Sequence, residues 1–314
     1  MQFLKPGILS TYQDNGRNGY RYSGINPNGA MDTMAVRLLN ILLQNDEYEA
    51  AIEIHFPGPE ILIEKDCMIA IGGADFTPYL VNENHQFIQV NNWQCNWVKA
   101  GSTLKFKKRI WGQRAYLAIK GGFSMKEWLG SKSTNSLLDF NTITLGHEVD
   151  TAIYIKLDFL PYLGYSILPP YSPSPIIRLI KGNEYDFLTP ESKEILENQR
   201  FTITQNSNRM GFRLVGEALK QESKTELISS AVDFGTIQLL PDGQMIILMA
   251  DHQTTGGYPR IGNVVSVDLP ILAQCGAKDS IQFQFISLAE AEELLILREQ
   301  KIRKLKASVK IFAK

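Results

Sequence analysis

Short apolar runs broken by glycine, proline, asparagine or aspartate dominate the chain. Examples lie at residues 61–63, 68–71, 115–119, 152–155 and 246–249. Their length and punctuation predict strands rather than helices. Residues 103–107 and 281–285 alternate apolar with polar, which puts one face on a core and the other in water. Residues 81–86 carry Asn82, Glu83 and Asn84 and read as a hairpin tip. Helical periodicity is sparse. Asp32 is placed to cap a helix over residues 33–44, with Ala35, Leu38, Leu39 and Leu42 on one face. Residues 190–198 form a second short candidate, opened by Pro190 with Glu191 and Glu194 near its positive end. Ser287 and Glu290 make a capping-box pattern that opens a longer C-terminal helix. Its stripe of Ala291, Leu295, Ile302 and Leu305 suits packing on its own domain, or a partner. Its basic end (Lys301, Arg303, Lys304, Lys306) reads as a solvated face that complements the helix C-terminus.

Many strands, few helices and turn signals about every ten residues point to two β-barrel or sandwich units. Residues 160–175 hold Pro161, Pro169, Pro170, Pro173 and Pro175, a stiff stretch poor in ladder donors that suits a crossing between domains. The expected division is therefore 1–165 and 166–314, with strand exchange between the halves left open. The 314 residues support a large core without disulfide or metal staples. Lys+Arg is 32 and Asp+Glu is 33, a net charge of -1 that argues against a dedicated nucleic-acid binder. Cys67, Cys95 and Cys275 are widely spaced and form no CxxC, which fits a reducing cytoplasm. The opening residues lack a basic head followed by an apolar run, so no signal peptide is expected. No window reaches the roughly 18 apolar residues of a membrane span.

The chain has no GxxxxGK[ST], GxGxxG, GxSxG or HExxH motif. Its histidines, His55, His85, His147 and His252, are scattered, and no metal site is expected. Polar residues concentrate instead in four places. The first runs from Thr11 through Gln13, Asp14 and Arg17 to Asp32, with Gly16, Gly19, Gly24 and Gly29 letting the backbone approach a ligand. Asp14 and Arg17 suit either a charge pair that orders the loop or a face turned to substrate, the arginine fork matching carboxylate or phosphate. The second is Asp251-His252-Gln253-Thr254-Thr255-Gly256-Gly257 followed by Arg260, at the mouth of the strand ending near Met249. Acid, imidazole, amide and hydroxyls side by side are ingredients of proton transfer and oxyanion binding, and Gly256-Gly257 suits a backbone anion nest. The plainer alternative is a polar hairpin that satisfies buried backbone groups. The third is Arg209 and Arg213 around Gly211, suited to an anion or acidic partner. The fourth is the Gly72-Gly73-Ala74-Asp75 turn.

Together these segments resemble the allophanate-hydrolase-subunit-2 family. This family also holds the C component of 5-oxoprolinase and is called the biotin-dependent carboxyltransferase family. The likeness rests on T-x-Q-D-x-G-R-x-G-Y…G-A-M-D at residues 11–32, G-A-D at 73–75, Y-L-A-x-x-G-G-F at 116–123 and L-G-S-x-S-T at 129–134. It continues with S-x-R-M-G-x-R-L at 207–214 and M-A-D-x-Q-T-T-G-G-Y-P-x-I-G at 249–262. The resemblance implies a mainly β fold of two cyclophilin-like β-barrel subdomains with a few short helices. It also implies two partners, the B component of 5-oxoprolinase and a lactam-utilisation-type A component. The implied reaction is ATP-dependent opening of 5-oxo-L-proline to L-glutamate, with ATP and possible Mg²⁺ held by the complex. No Walker motif is present, so any ATP site is built differently or shared. The sequence departs from relatives at residues 135–141, which lack a G-G-x-x-G-R stretch, and at Lys132 and His252, where arginine is common.

On this reading Asp14, Asp251, His252 and Gln253 are the expected catalytic residues. Gln13, Arg17, Arg209, Thr254, Thr255, Gly256, Gly257 and Arg260 are the expected substrate and anion contacts. The amino-terminal glycine-laced turn and the Asp251–His252 corner are expected to line one cleft. Two alternatives stay open. One is carboxyl transfer from carboxybiotin in a urea-carboxylase-like enzyme, with biotin on a separate carrier because the chain has no Met-Lys-Met. The other is a regulatory module that antagonises a histidine-kinase inhibitor.

Overall fold

The computed structural model describes residues 1–135, 138–151, 160–223 and 227–312 and divides into two units. The first comprises Met1–Arg17, Asp32–Pro169 and Lys301–Lys314; the second comprises Asn18–Met31 and Pro170–Gln300. The changeover after Pro169 falls within the proline-rich stretch, a few residues past the expected 165. The segment Asn18–Met31 groups with the second unit, and the end of the chain from Lys301 groups with the first. A strand expected over residues 152–155 lies outside the described residues, as do 136 and 137 of the divergent run.

The first unit contains β1 (Gln2–Lys5), β2 (Ser10–Gln13), α1 (Thr33–Leu42), β3 (Ala51–Ile54), β4 (Glu60–Leu62), β5 (Cys67–Asp75) and β6 (Pro78–Val81). It continues with β7 (Phe87–Gln89), β8 (Cys95–Val98), β9 (Thr103–Phe106), β10 (Trp111–Ile119), β11 (Phe123–Ser124) and β12 (Asp150–Thr151). Two five-stranded sheets result, in the orders β1-β4-β9-β6-β7 and β2-β3-β10-β5-β8. Their inward side chains share one core, Phe3, Ile61, Leu80 and Leu104 from the first sheet and Tyr12, Ile52, Ile71 and Leu117 from the second. Of the two architectures the strand pattern allowed, this unit takes the layered one, two sheets closed on a common core. The hairpin tip forms as read: Asn82 Oδ1 accepts from the amides of Asn84 and Gln86.

Helix α1 starts where Asp32 accepts a hydrogen bond from the Ala35 amide at 2.9 Å, and Ala35, Leu38, Leu39 and Leu42 are buried as their spacing predicts. It stops two residues short of the expected end, before Gln44 takes a left-handed φ of 53°. A buried polar chain anchors its N-terminus to the sheet. The Tyr116 hydroxyl accepts from the Asp32 amide at 2.8 Å and donates to Glu53 Oε2 at 2.7 Å, and both Tyr116 and Glu53 are wholly buried. Burial, reinforced by the Glu53 and Asp32 carboxylates, raises the phenol pKa well above its ordinary range and keeps it a donor.

The second unit contains β13 (Ile176–Lys181), α2 (Pro190–Asn198), β14 (Arg200–Ile203), β15 (Gly211–Val215), β16 (Ser230–Ala231) and β17 (Thr236–Leu239). It goes on with β18 (Met245–Leu248), β19 (Thr255–Gly256), β20 (Arg260–Val264), α3 (Leu269–Ala273) and β21 (Ser280–Phe285), and α4 (Leu288–Phe312) leads out of it. Seven strands close a barrel in the order β13-β20-β17-β18-β15-β14-β21, the parallel pairing of β13 with β21 joining the ends. The mainly β fold and the barrel both match the expectation. Closure removes the unpaired edges an open sheet would expose. Ile177, Phe212, Leu214, Ile237, Leu239, Ile247 and Phe283 fill the interior, each contributing about 1.5–3 kcal/mol on burial. Alternation sends Gly211, Arg213, Gln238 and Ile246 to the outside. The capping box holds at α4: Ser287 N donates to Glu290 Oε2 at 2.7 Å and Glu290 N to Ser287 Oγ at 3.2 Å.

Replacing Asp32 with alanine removes both a cap and a buried acceptor. Asp32→Ala is expected to lower unfolding free energy by about 1–2 kcal/mol in urea titrations, whereas Asp32→Asn, which retains an acceptor oxygen, loses less than half of that.

Candidate functional site

The expected site residues divide between the two units. Gln13, Asp14 and Arg17 belong to the first; Arg209, Asp251, His252, Gln253, Thr254, Thr255, Gly256, Gly257 and Arg260 belong to the second.

In the first unit Asp14 staples two loops together. Its Oδ1 accepts from the Gly16 amide at 2.8 Å, Ser131 Oγ at 2.7 Å and Ser133 Oγ at 2.6 Å, and its Oδ2 accepts from the Lys132 amide at 2.7 Å. Gly16 takes a φ of 76°, which lets the chain turn back tightly enough to present its amide. Arg17 is fully buried. Its guanidinium donates to the Ser133 carbonyl and lies 4.8 Å from the Trp128 ring centroid and 5.7 Å from that of Phe140. Gln13, on β2, is 2% exposed and donates from Nε2 to Thr11 Oγ1 at 3.1 Å. These contacts correct two expectations. Asp14 is engaged as a hydrogen-bond acceptor at both oxygens rather than poised for proton transfer, and Arg17 shows no face to a soluble anion. Lys132, the departure from arginine, is satisfied by Glu49 Oε1 at 2.6 Å and the Phe123 carbonyl at 3.3 Å.

In the second unit the corner after β18 is pinned by a charged fork. Arg209 donates from Nε to Asp251 Oδ2 and from Nη2 to Asp251 Oδ1, both at 2.8 Å. The Asp251 amide returns a bond to the Arg209 carbonyl at 2.8 Å. The amino-terminal glycine-laced segment joins here. Arg209 Nη2 reaches the Gly29 carbonyl at 2.7 Å, and Asn26 Nδ2 donates to the Asp251 carbonyl at 3.3 Å. Gly29 has a φ of 94°, a backbone conformation that L side chains rarely adopt. Arg21 of the same segment pairs with Asp233. Residues 18–31 thus meet the Asp251 corner within one unit, whereas Gln13, Asp14 and Arg17 of the expected cleft belong to the other.

His252 is fully buried, with Nδ1 2.6 Å from the Gln253 carbonyl and Nε2 4.0 Å from Asp233 Oδ1. Burial holds its pKa below the ordinary imidazole value, the Gln253 carbonyl and Asp233 opposing more weakly. The ring is therefore neutral near pH 7, and the Gln253 carbonyl identifies Nδ1 as the protonated nitrogen. Gln253 and Thr255 are exposed and Thr254 half-buried.

Two further expectations are corrected. Gly256 lies in β19, paired with β16, and neither Gly256 nor Gly257 has a positive φ, so the alternating backbone of an anion nest is absent there. A Cβ on Gly256 would sit 2.5 Å from Gln238 Nε2, which accounts for the glycine by side-chain space. Arg260 is occupied by a fork to Glu184, Nε–Oε2 at 2.9 Å and Nη2–Oε1 at 2.7 Å, and those hydrogen bonds hold the Glu184 carboxyl below its usual range. Sequence reasoning missed Glu184, Asp233, Asn26 and Gln238. Gln238 alone left a trace, as the polar break between Ile237 and Leu239.

Comparison with known proteins gives a consistent picture. The family described as "Carboxyltransferase domain, subdomain A and B" matches residues 23–285. The chain is 36% identical over 290 residues to the Haemophilus influenzae protein named as the C component of 5-oxoprolinase, covering 91% of each chain. It is 33% identical over 302 residues to the Escherichia coli protein of the same name, covering 93% of each. The crystal structure of Kluyveromyces lactis urea amidolyase superposes with a TM-score of 0.87 at 27% identity, covering 97% of this chain and 20% of that one. This chain therefore spans about a fifth of the length of urea amidolyase.

Two measurements test the corner. Because the native state keeps His252 neutral while the unfolded chain binds its proton near pH 6.5, stability falls as pH drops below that value, by at most about 1.4 kcal/mol per pH unit. His252→Gln is expected to flatten the wild-type decline in unfolding free energy between about pH 7 and pH 5.5; His147, whose pKa burial also lowers, contributes to the slope left over. A double-mutant cycle with Arg209→Gln and Asp251→Asn is expected to return a coupling of about 1–3 kcal/mol in urea titrations.

Proposed function

This chain belongs to the carboxyltransferase-domain family, and from that premise we propose that it is the C component of an ATP-dependent 5-oxoprolinase that hydrolyses 5-oxo-L-proline to L-glutamate. The observation that carries this reading is end-to-end: identity of 36% and 33% to proteins named as that component extends over more than nine-tenths of both chains. The chain works only in complex, with a B component and a lactam-utilisation-type A component, in the cytoplasm. Its three cysteines are buried thiols outside any disulfide, in keeping with a reducing compartment.

The chemistry explains the need for ATP. A five-membered lactam is an unactivated amide, and phosphorylation of its oxygen turns a poor electrophile into one that water attacks. Such transfer depends on fixed cationic and N–H donors around the phosphoryl oxygens. The groups expected to meet an anion are otherwise engaged: Arg17 by Ser133, Arg209 by Asp251 and Arg260 by Glu184, and Gly256 and Gly257 lack the positive φ of a nest. An ATP site, with any accompanying Mg²⁺, is then built from other residues or shared between the components. The contribution of this chain is positional. Arg209 orients Asp251, the fork fixes the loop that carries Gln253, Thr254 and Thr255, and those three groups reach solvent to meet the lactam.

A second reading has its own support. The family description and the TM-score of 0.87 to urea amidolyase favour carboxyl transfer, with carboxybiotin delivered by a separate carrier. Avidin separates the two readings, since it blocks a biotin-dependent complex and leaves an oxoprolinase unaffected. A regulatory module that antagonises a histidine-kinase inhibitor would join the B component yet add nothing to turnover.

The decisive assay measures ATP-dependent glutamate release with all three components present. Omitting this chain is expected to abolish release, and Asp251→Asn to slow it by about 100-fold through loss of loop position. Full turnover without the chain, or full turnover by the variant, overturns respectively the functional reading and the site.

A further inference from the structure

The two sheets of the first unit end on four edge strands, and passing segments of the same chain occupy three of those edges. Along β1 the Phe3 amide donates to the His147 carbonyl at 2.8 Å, and Gln2 bridges to Glu148. Along β2 the Tyr12 carbonyl accepts from the Thr134 amide at 2.8 Å, and Thr11 bridges to Thr142. Along β8 the Cys95 amide donates to the Pro161 carbonyl at 2.9 Å, and Gln94 bridges to Tyr162. The fourth edge, β7, meets no such segment among the described residues, and all three of its residues are exposed.

The ladder fixes which backbone groups of β7 face outward. The Val90 amide donates to the Pro78 carbonyl at 3.3 Å, and the Asn82 amide to the Gln86 carbonyl at 3.1 Å. Bonded pairs alternate along an antiparallel ladder, so Leu80–Ile88 is bonded while Val81–Phe87 and Tyr79–Gln89 are not. The amides and carbonyls of Phe87 and Gln89 therefore point away from β6, into the open edge. Phe87 is 76% exposed and Ile88 46%. The Phe87 ring rests beside that of Tyr79, with centroids 5.7 Å apart. Open edges are ordinarily guarded by charge, proline or a bulge. Residues 84–98, between Glu83 and Lys99, contain no Lys, Arg, Asp, Glu or Pro, and the pairing of β6 with β7 shows no register shift.

We propose that β7 is a self-association edge, which pairs antiparallel with β7 of a second copy about a twofold axis at Ile88. In that register Phe87 stands opposite Gln89 of the other copy at a bonded position, and Gln89 opposite its Phe87. Each pair exchanges two backbone hydrogen bonds. Ile88 meets Ile88 of the second copy at the non-bonded position, where side chains approach most closely. The five-stranded sheet continues into its copy with the same face outward. Self-pairing brings like residues together, which a charged strand resists and this neutral one does not. Neutrality also leaves nothing on the strand to select a charged partner. The proposal stands on this edge alone and is independent of the oxoprolinase reading.

The test is sedimentation equilibrium of the full chain without partner proteins. An interface of this size belongs to the weak class, so the mean mass is expected to rise from one chain toward two between about 1 and 300 µM. Gln89→Pro removes an outward donor but no ladder bond within the chain, and is expected to weaken association at least about tenfold. Ile88→Lys and Ile88→Glu, at an exposed position, set like charges across the axis. Each is expected to stay a single chain alone, and the two mixed are expected to associate. Recovery on mixing is a result that a folding defect does not produce. A single-chain mass throughout the range overturns the proposal. So does association that Ile88→Lys or Gln89→Pro leaves intact, or a failure of the two charged variants to associate when mixed.

Discussion

The Arg209–Asp251 fork organises the second unit's polar corner. Three segments far apart in sequence meet on it: the loop before β15, the loop after β18, and the amino-terminal segment that supplies Asn26 and Gly29. Both charges are largely withdrawn from water, so neither tolerates loss of the other, and the geometry is bidentate in addition to the pair's backbone bonds. The run that follows, Gln253 to Gly256, is held further by the pairing of β19 with β16 and by Gln253 on Gln238 of the barrel.

Four arginines of this chain are used in a similar way. Arg17 is buried against Trp128 and the Ser133 carbonyl, Arg209 is clasped by Asp251, Arg260 by Glu184 and Arg178 by Asp268. Each of these contacts closes a loop against a strand or another loop. The consequence for function is one of subtraction: an arginine already engaged by its own fold has few donors left for phosphate or carboxylate. Arg17, Arg209 and Arg260, read from the sequence as anion contacts, are all held in this way.

Much of the fold was legible because local rules sufficed. The alternation of β9 and β21, the Asp32 cap and the Ser287–Glu290 box depend on neighbours within four residues, and each forms as read. The expected cleft between the amino-terminal turn and the Asp251 corner was not legible in this way: residues 18–31 join the corner, while Asp14 and Arg17 fall in the other unit. Nor were roles within the site. Asp14 and Asp251 look equally reactive in a linear sequence. What distinguishes them is a set of donors more than a hundred positions downstream of Asp14, at Ser131, Lys132 and Ser133, and an arginine 42 positions upstream of Asp251. The choice between layered sheets in the first unit and a closed ring in the second was hidden for a related reason. Closure depends on which strands pair, here β13 with β21 across more than a hundred residues, rather than on how many there are.

Gln238 shows the limit most clearly. In sequence it is one polar residue in the apolar strand Thr236–Leu239, and its neighbours Ile237 and Leu239 suffice to predict that it points outward. An outward glutamine is ordinarily solvated. This one is buried because the loop fixed by Asp251 brings Gln253 and Gly256 over it, and Gly256 lacks the Cβ that would displace its amide. The same fork that holds the corner thus covers the barrel wall and leaves a donor in the dry without an acceptor. Leucine at this position would remove the unpaired donor and its penalty, and with them the acceptor that Gln253 uses.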